Sequence, residues 1–170
     1  METQKILRPS NKIVIIADYR EKDVIENLKS LGATVNKMNL KVGDFACSSN
    51  GVVIERKTHS DFVSSIVDGR IFEQLKYLKE NYERPVVIVE GFSDRKINEN
   101  ALNATIASLI TQFNASFVNT KNSLDTAKMV YWLAKKEQED ANKALGFKQG
   151  KKPKEMKQLQ EFVLSGIPGI

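Results

Sequence analysis

The stretch Pro85-Val-Val-Ile-Val-Glu90 most narrows the folds open to this chain. Four consecutive β-branched residues favour a strand, and a strand with no polar alternation is apolar on both faces. Such a strand belongs inside a sheet, with helices over it. Lys12-Ile-Val-Ile-Ile-Ala17 has the same character and also ends in an acid, Asp18. A third apolar run, Val52-Val-Ile54, passes directly into Glu55-Arg-Lys-Thr-His-Ser-Asp61.

Helical spacing fills the gaps between these runs. Val24, Ile25, Leu28 and Leu31 predict a helix from Glu21 that Gly32 stops. Residues 33–40 alternate, and residues 42–48 and 51–57 flank Ser49-Asn50-Gly51, a hairpin signal, so three antiparallel strands are expected here. Ser60 and Asp61 are suitable N-caps for a helical region running through Phe62, Ile66, Ile71, Leu75 and Leu78 to about Tyr82, with a break at Asp68-Gly69. A helix around Leu102 to Phe113, a strand at Ser116–Thr120 and a helix from Leu124 to about Asp140 complete the pattern. The order is β-α-β-β-β-α-β-α-β-α, an α/β fold with a central mixed β-sheet flanked by helices.

Residues 12–142 are expected to form one domain, preceded by an N-terminal extension at 1–11 and followed by a basic linker at 143–158. Residues 141–170 hold six lysines against two glutamates, so four of the five net positive charges sit there. A basic tail on a near-neutral domain suits a polyanionic partner, and it also suits a solvated lysine-rich helix. Cys47 is the single cysteine, which excludes an intrachain disulfide and a multi-cysteine zinc site. The absence of any run of about 20 apolar residues gives no membrane partner, and an intracellular protein of the cytoplasm or nucleoid, or of the nucleus in a eukaryote, is expected.

The charged end of the third apolar run carries the chemistry. Side chains alternate along a strand, so Glu55 and Lys57 share one face and Arg56 takes the other. A two-residue loop at Asn50-Gly51 sets Asp44 across from Lys57, whereas a four-residue loop at 48–51 opposes Asp44 to Glu55. Either register leaves Asp44, Glu55 and Lys57 on one face. Two carboxylates about 5 Å apart repel, and a hard divalent cation between them removes the repulsion. Oxygen-only ligands suit magnesium or manganese. Such an ion polarises a phosphoryl oxygen and acidifies a bound water, while a neighbouring lysine positions that water or offsets charge developing on phosphate.

Gly43-Asp44-Phe45, Glu55-Arg56-Lys57-Thr58-His59-Ser60-Asp61, Asp68-Gly-Arg-Ile-Phe-Glu-Gln74 and Ala17-Asp-Tyr-Arg-Glu21, four motifs in register over about residues 12–140, resemble the nuclease domain of XPF-type structure-specific endonucleases, the archaeal XPF/Hef nucleases among them. The resemblance implies a restriction-endonuclease-like fold and metal-dependent hydrolysis of one strand of branched DNA such as 3′ flaps, forks and splayed arms. By position, Asp44 and Glu55 resemble the family's metal ligands, Lys57 its catalytic lysine, and Asp18 and Asp61 further acids of the site, with Asp18 a third candidate ligand. Arg20, Arg56, Arg70 and Gln74 resemble polar support for the site or for the DNA backbone.

The resemblance also implies Mg2+ as cofactor, with Mn2+ able to substitute, and a homodimer formed through the nuclease domain. A helicase domain or a sliding clamp would be a further partner in the full-length context. Leu164-Ser-Gly-Ile-Pro-Gly-Ile170 is similar to the first hairpin of a helix-hairpin-helix domain, which would make 159–170 the truncated start of one. A catalytically silent DNA-binding and dimerisation subunit is the competing expectation, and the presence of Asp44, Glu55, Lys57 and Asp61 weighs against it. His59 is expected to be a surface or helix-entry residue, and Tyr131 and Trp132 to divide between core and interface.

Overall fold

A computed structural model describes residues 12–147. In chain order the elements are β1 (Val14–Asp18), α1 (Lys22–Ser30), β2 (Thr34–Met38), β3 (Phe45–Ala46), β4 (Val52–Thr58), α2 (His59–Val67), α3 (Arg70–Asn81), β5 (Arg84–Glu90), α4 (Glu99–Thr111), β6 (Ser116–Thr120) and α5 (Ser123–Phe147). One six-stranded sheet holds them in the order β2-β1-β3-β4-β5-β6. Pairing of β3 with β1 and with β4 is antiparallel, and the remaining neighbours are parallel. This is the expected mixed sheet with helices on its faces.

Alternation along the strands sorts the core into two layers. Ile15, Ala17, Ile54 and Ile88 face Val24, Ile25 and Leu28 of α1 and Ala127, Val130 and Ala134 of α5. Val53, Val87 and Val89 face Phe62, Ile71, Leu75, Leu78 and Leu109 of α2, α3 and α4. The continuous β-branched runs of β1 and β5 thus lie where apolar cover exists on both sides. Tyr131 packs partly against the first layer, whereas Trp132 is half exposed, with Lys135 Nζ 4.7 Å from its ring centre.

The expectation of three consecutive antiparallel strands fails at its first member. β2 pairs in parallel with β1, Val14 with Thr34 through Asp18 with Met38, at the edge of the sheet. Its alternation suits an edge strand, and the 22–30 helix supplies the crossover that a parallel neighbour requires. β1 therefore separates β2 from β3. The helical region after β4 divides at Asp68-Gly69 as expected, and Gly69 enters α3 with φ +75°, a conformation natural to glycine. Thr58, rather than Ser60 or Asp61, caps α2, its side chain accepting from the Asp61 amide at 3.1 Å. α5 continues beyond Asp140 to Phe147. The extension at 1–11, most of the linker and the segment 159–170 lie outside the described residues. No helix among the described residues is long and apolar enough to cross a membrane.

Two-residue β3 leaves part of β1 without a strand partner on that side. Gln138 of α5 takes that place: its Oε1 accepts from Val14 N at 3.1 Å, and its Nε2 donates to Val14 O at 2.6 Å and to Cys47 O at 3.3 Å. At the other end of β3, Gly43 has φ +77°, and a Cβ there would lie 2.5 Å from Val53 Cγ2 and 3.3 Å from Leu78 Cδ2. Both the backbone angle and the close approach require glycine. Gly43→Ala is expected to lose roughly 2 kcal/mol of stability, read from urea unfolding; an unchanged midpoint and slope would show that Val53 and Leu78 give way freely.

Candidate active site

The hairpin between β3 and β4 closes with the four-residue loop. Ser48 Oγ accepts from the amides of Gly51 and Val52, each at 2.9 Å, and Cys47 N donates to Val52 O at 3.0 Å. Phe45 consequently opposes Ile54 and Ala46 opposes Val53. Of the two registers open to the sequence, this is the one that runs Asp44, just before β3, toward Glu55, and the two acids meet on one cavity wall. Asp44 N donates to Ile54 O at 2.8 Å, and Asp44 O accepts from Asp18 N at 2.8 Å. Its side chain is held as well, since Oδ2 accepts from Arg56 N at 2.7 Å. Lys57 Nζ lies 3.4 Å from Glu55 Oε1, and both side chains are largely buried.

Burial dominates the electrostatics here. Removal from water, with the Glu55 charge adding to it, pushes the Asp44 carboxyl up to about 7 despite the Arg56 amide. Burial likewise raises Glu55, against the pull of Lys57. These acids line a cavity of about 420 Å³ together with Arg20, Leu40, Gly43 and Gln74. Gln74 Oε1 is buried with no hydrogen-bond donor. Two carboxylates that burial makes proton-hungry and an amide oxygen without a donor form an all-oxygen set short of positive charge, which fits a hard divalent cation. Among the described residues no group of three or more His, Cys, Asp or Glu side chains is placed to hold a metal ion. A cation here would therefore take two carboxylates and complete its shell with water, amide or phosphate oxygen, as magnesium commonly does.

The remaining sequence candidates divide. Asp18 is buried beneath the site, and its oxygens are already occupied: Arg20 Nε and Nη2 donate at 2.7 and 3.1 Å, and the amides of Arg20 and Leu40 donate at 3.0 and 3.1 Å. The Arg20 guanidinium is foremost in holding the Asp18 carboxyl below its ordinary range, and burial opposes it. Asp18 does not line the cavity and positions Arg20, which does. Asp61 is exposed in the first turn of α2, away from the cavity wall. Arg70 is exposed and paired with Asp68 at 3.2 Å.

Arg56 points to the opposite side of β4. It binds Glu90 through Nε and Nη2, both at 2.7 Å, Glu21 at 2.7 Å, and Asp23 at 3.0 and 3.1 Å. Its own desolvation notwithstanding, these carboxylates hold its proton more firmly than usual. Glu90 stays below its ordinary range in spite of burial, because Arg56 and the Thr126 hydroxyl donate to it, the latter at 2.6 Å. Sequence spacing could assign Arg56 to that side but gave no sign of Glu21, Asp23 and Glu90 as its partners, which come from two separate segments. Leu40, Lys41 and Tyr77 on the cavity wall were likewise invisible in the sequence pattern.

Comparison with known proteins places this geometry. The ERCC4 domain family matches residues 17–133, which include every residue of the cavity wall and of the Arg56 cluster. The chain belongs to the ERCC4 family. Within it, the chain is similar to the 3′-flap repair endonuclease Xpf of Saccharolobus solfataricus, 32% identical over 93% of this chain and 71% of that protein. A Methanocaldococcus jannaschii protein that carries the name of an ATP-dependent RNA helicase is 39% identical over 95% of this chain. The chain spans only 20% of that relative's length. XPF from Aeropyrum pernix, solved in complex with DNA, superposes with a TM-score of 0.68 at 32% identity, covering 92% of this chain and 74% of that one. The ERCC4 domain described here is an XPF-type nuclease domain in architecture.

Two outcomes test the electrostatics. Arg56→Ala strands three carboxylates around an empty position and is expected to cost about 3 kcal/mol of stability, measured by denaturant unfolding; a loss below about 0.5 kcal/mol would reduce the cluster to a surface ion pair. Asp44 takes up its proton more readily folded than unfolded. Its contribution is therefore complete below the ordinary carboxyl pKa and disappears as the pH rises through about 7. In metal-free buffer, wild type should lose stability relative to Asp44→Asn by up to ~1.4 kcal/mol per pH unit across that window. Parallel stability curves would refute the raised Asp44.

Proposed function

We propose that this domain is the catalytic part of a structure-specific DNA endonuclease, hydrolysing one strand of branched DNA such as a 3′ flap, fork or splayed arm in repair or replication-fork processing. The observation that carries the proposal is the juxtaposition of Asp44 and Glu55 across the β3–β4 hairpin, with Lys57 Nζ 3.4 Å from Glu55. Asp44 and Glu55 would hold Mg2+, or Mn2+ in its stead, with Gln74 Oε1 as a further acceptor for the ion or its water. When bound, the cation supplies Lewis-acid polarisation of the scissile phosphate and a water of lowered pKa.

The chain's own groups do the rest. Lys57 orients the attacking water or offsets charge developing on the phosphate, and its burial beside Glu55 keeps the ammonium from swinging into solvent. Arg20, pinned by Asp18 at the rim of the cavity, offers its remaining N–H groups to a phosphate oxygen. The likeness to the Saccharolobus 3′-flap endonuclease and to an XPF solved with DNA supports the substrate class. A silent DNA-binding subunit would not need to keep two buried carboxylates and a lysine together.

The half-exposed Trp132 on α5 supports a homodimeric contact through this domain. The helicase name of the Methanocaldococcus relative supports a helicase domain in the same assembly. In this proposal residues 143–158 serve as a basic linker and 159–170 open a helix-hairpin-helix domain.

Asp44→Ala and Lys57→Ala are each expected to lower cleavage of an end-labelled 3′-flap by at least about 100-fold with DNA binding nearly unchanged. EDTA should stop cleavage and added Mg2+ restore it. Loss of binding with undiminished cleavage per bound complex would reject this assignment of roles.

A further inference from the structure

Phe92 is the most exposed large apolar side chain among the described residues, at 85%. It belongs to the irregular segment 91–98 that joins β5 to α4. A single exposed phenylalanine is unremarkable, but this ring is held in place. It stacks on the His59 imidazole, with ring centres 5.4 Å apart and planes 28° from parallel. His59 Nδ1 is 2.6 Å from the Ser93 hydroxyl, so the segment after β5 grips the first residue of α2 at two points.

The base of the segment is fixed too. Glu90 is bound bidentately by Arg56, and Gly91, at φ +75°, donates its amide to Thr120 O at 2.8 Å. The aromatic pair is thus a rigid shelf with one ring open to solvent, the arrangement that loses least entropy when a planar group stacks on it.

Its surroundings point to the chemistry of that group. Arg95 and Lys96 follow on the same segment, and Lys121 adjoins Gly91 from the turn after β6. All three are exposed and form no ion pair among the described residues, against the exposed Asp94 and Asp61. An exposed aromatic ring on a segment that carries exposed cations suits a nucleobase with its phosphates better than an apolar peptide face. The shelf also lies at the catalytic end of the sheet: Thr58 pairs with Glu90, and His59 is two residues beyond Lys57.

We propose that the His59–Phe92 stack binds an unpaired nucleobase, holding the single-stranded arm of branched DNA beside the cleavage site. This rests on the endonuclease function proposed above and adds to it the contact that would distinguish a branch from plain duplex. Neither ring takes part in the bond-breaking step. His59, with its Nδ1 engaged by Ser93, acts through its face rather than as a base.

The test uses the full chain in EDTA, where no cleavage occurs, with a fork carrying 2-aminopurine at the first unpaired positions and a matched blunt duplex. Wild type is expected to quench the probe on binding. Phe92→Ala and His59→Ala should abolish the quench and weaken fork binding by ~10-fold while leaving duplex binding within about twofold, and Phe92→Trp should restore both. Circular dichroism on the variants confirms the fold, since Phe92 is exposed.

Retained quench and affinity in Phe92→Ala would overturn the proposal, as would an equal loss on fork and duplex. So would a changed oligomeric state of Phe92→Ala in size-exclusion chromatography with the quench intact, which would make the shelf a protein contact. Because the readout is binding without cleavage, its failure is separable from a failure of Lys57→Ala to stop the reaction.

Discussion

The bidentate ion pair between Arg56 and Glu90 is the contact around which the site end of the sheet is organised. Arg56 extends it to Glu21 and Asp23 at the start of α1, and Glu90 extends it through Thr126 to α5, where Thr126 also meets Thr120 of β6 at 2.6 Å. One guanidinium thus ties the ends of two strands to α1, and a hydroxyl relay adds α5 and a third strand. A planar five-donor group can do this, whereas the three donors of lysine on a flexible stem cannot reach all three acids in one plane. With these ends fixed, the backbone amide of Arg56 is also fixed, and it is that amide which orients the Asp44 carboxylate.

Strand β4 therefore carries opposite electrostatic solutions on its two faces. On the α1 and α5 side, Arg56 and a hydroxyl donor hold the carboxyls of Asp23 and Glu90 below their ordinary range. On the α2 and α3 side, Asp44 and Glu55 are buried with one lysine, beside Glu55, and too few donors. The first arrangement is complete within the chain. The second is not, and that deficit of positive charge in an otherwise well-packed domain is what makes it the candidate site.

Much of this was legible in the sequence because period-two alternation is a local property. The unbroken β-branched runs announced strands covered on both sides, and the spacing of Glu55 and Lys57 placed them together whatever the hairpin register. What sequence left undecided was settled by contacts of particular side chains. Ser48, by accepting two loop amides, selected the register that runs Asp44 toward Glu55. The placement of β2 beside β1 escaped the pattern because the alternation of residues 33–40 states that a strand is half exposed, and not which neighbour it has. Asp18 was readable as a buried acid at a strand end, but its capture by Arg20 and Leu40 depends on a loop whose course no periodicity encodes.

Gln138 replaces a missing stretch of strand, and it does so from 124 positions away along the chain. The hairpin that sets the acids can form early and locally, yet the carbonyl of Cys47 at its base and the backbone of Val14 beside it obtain their last donors and acceptor from α5. At ribosomal speeds of about 5–20 residues per second, that helix emerges on the order of ten seconds after the first strand. During that interval the nascent chain has all the residues of its site but lacks the amide that seals the sheet behind them. The domain is thereby assembled in the order scaffold, acids, seal, and its geometry becomes permanent only when synthesis has passed its final helix.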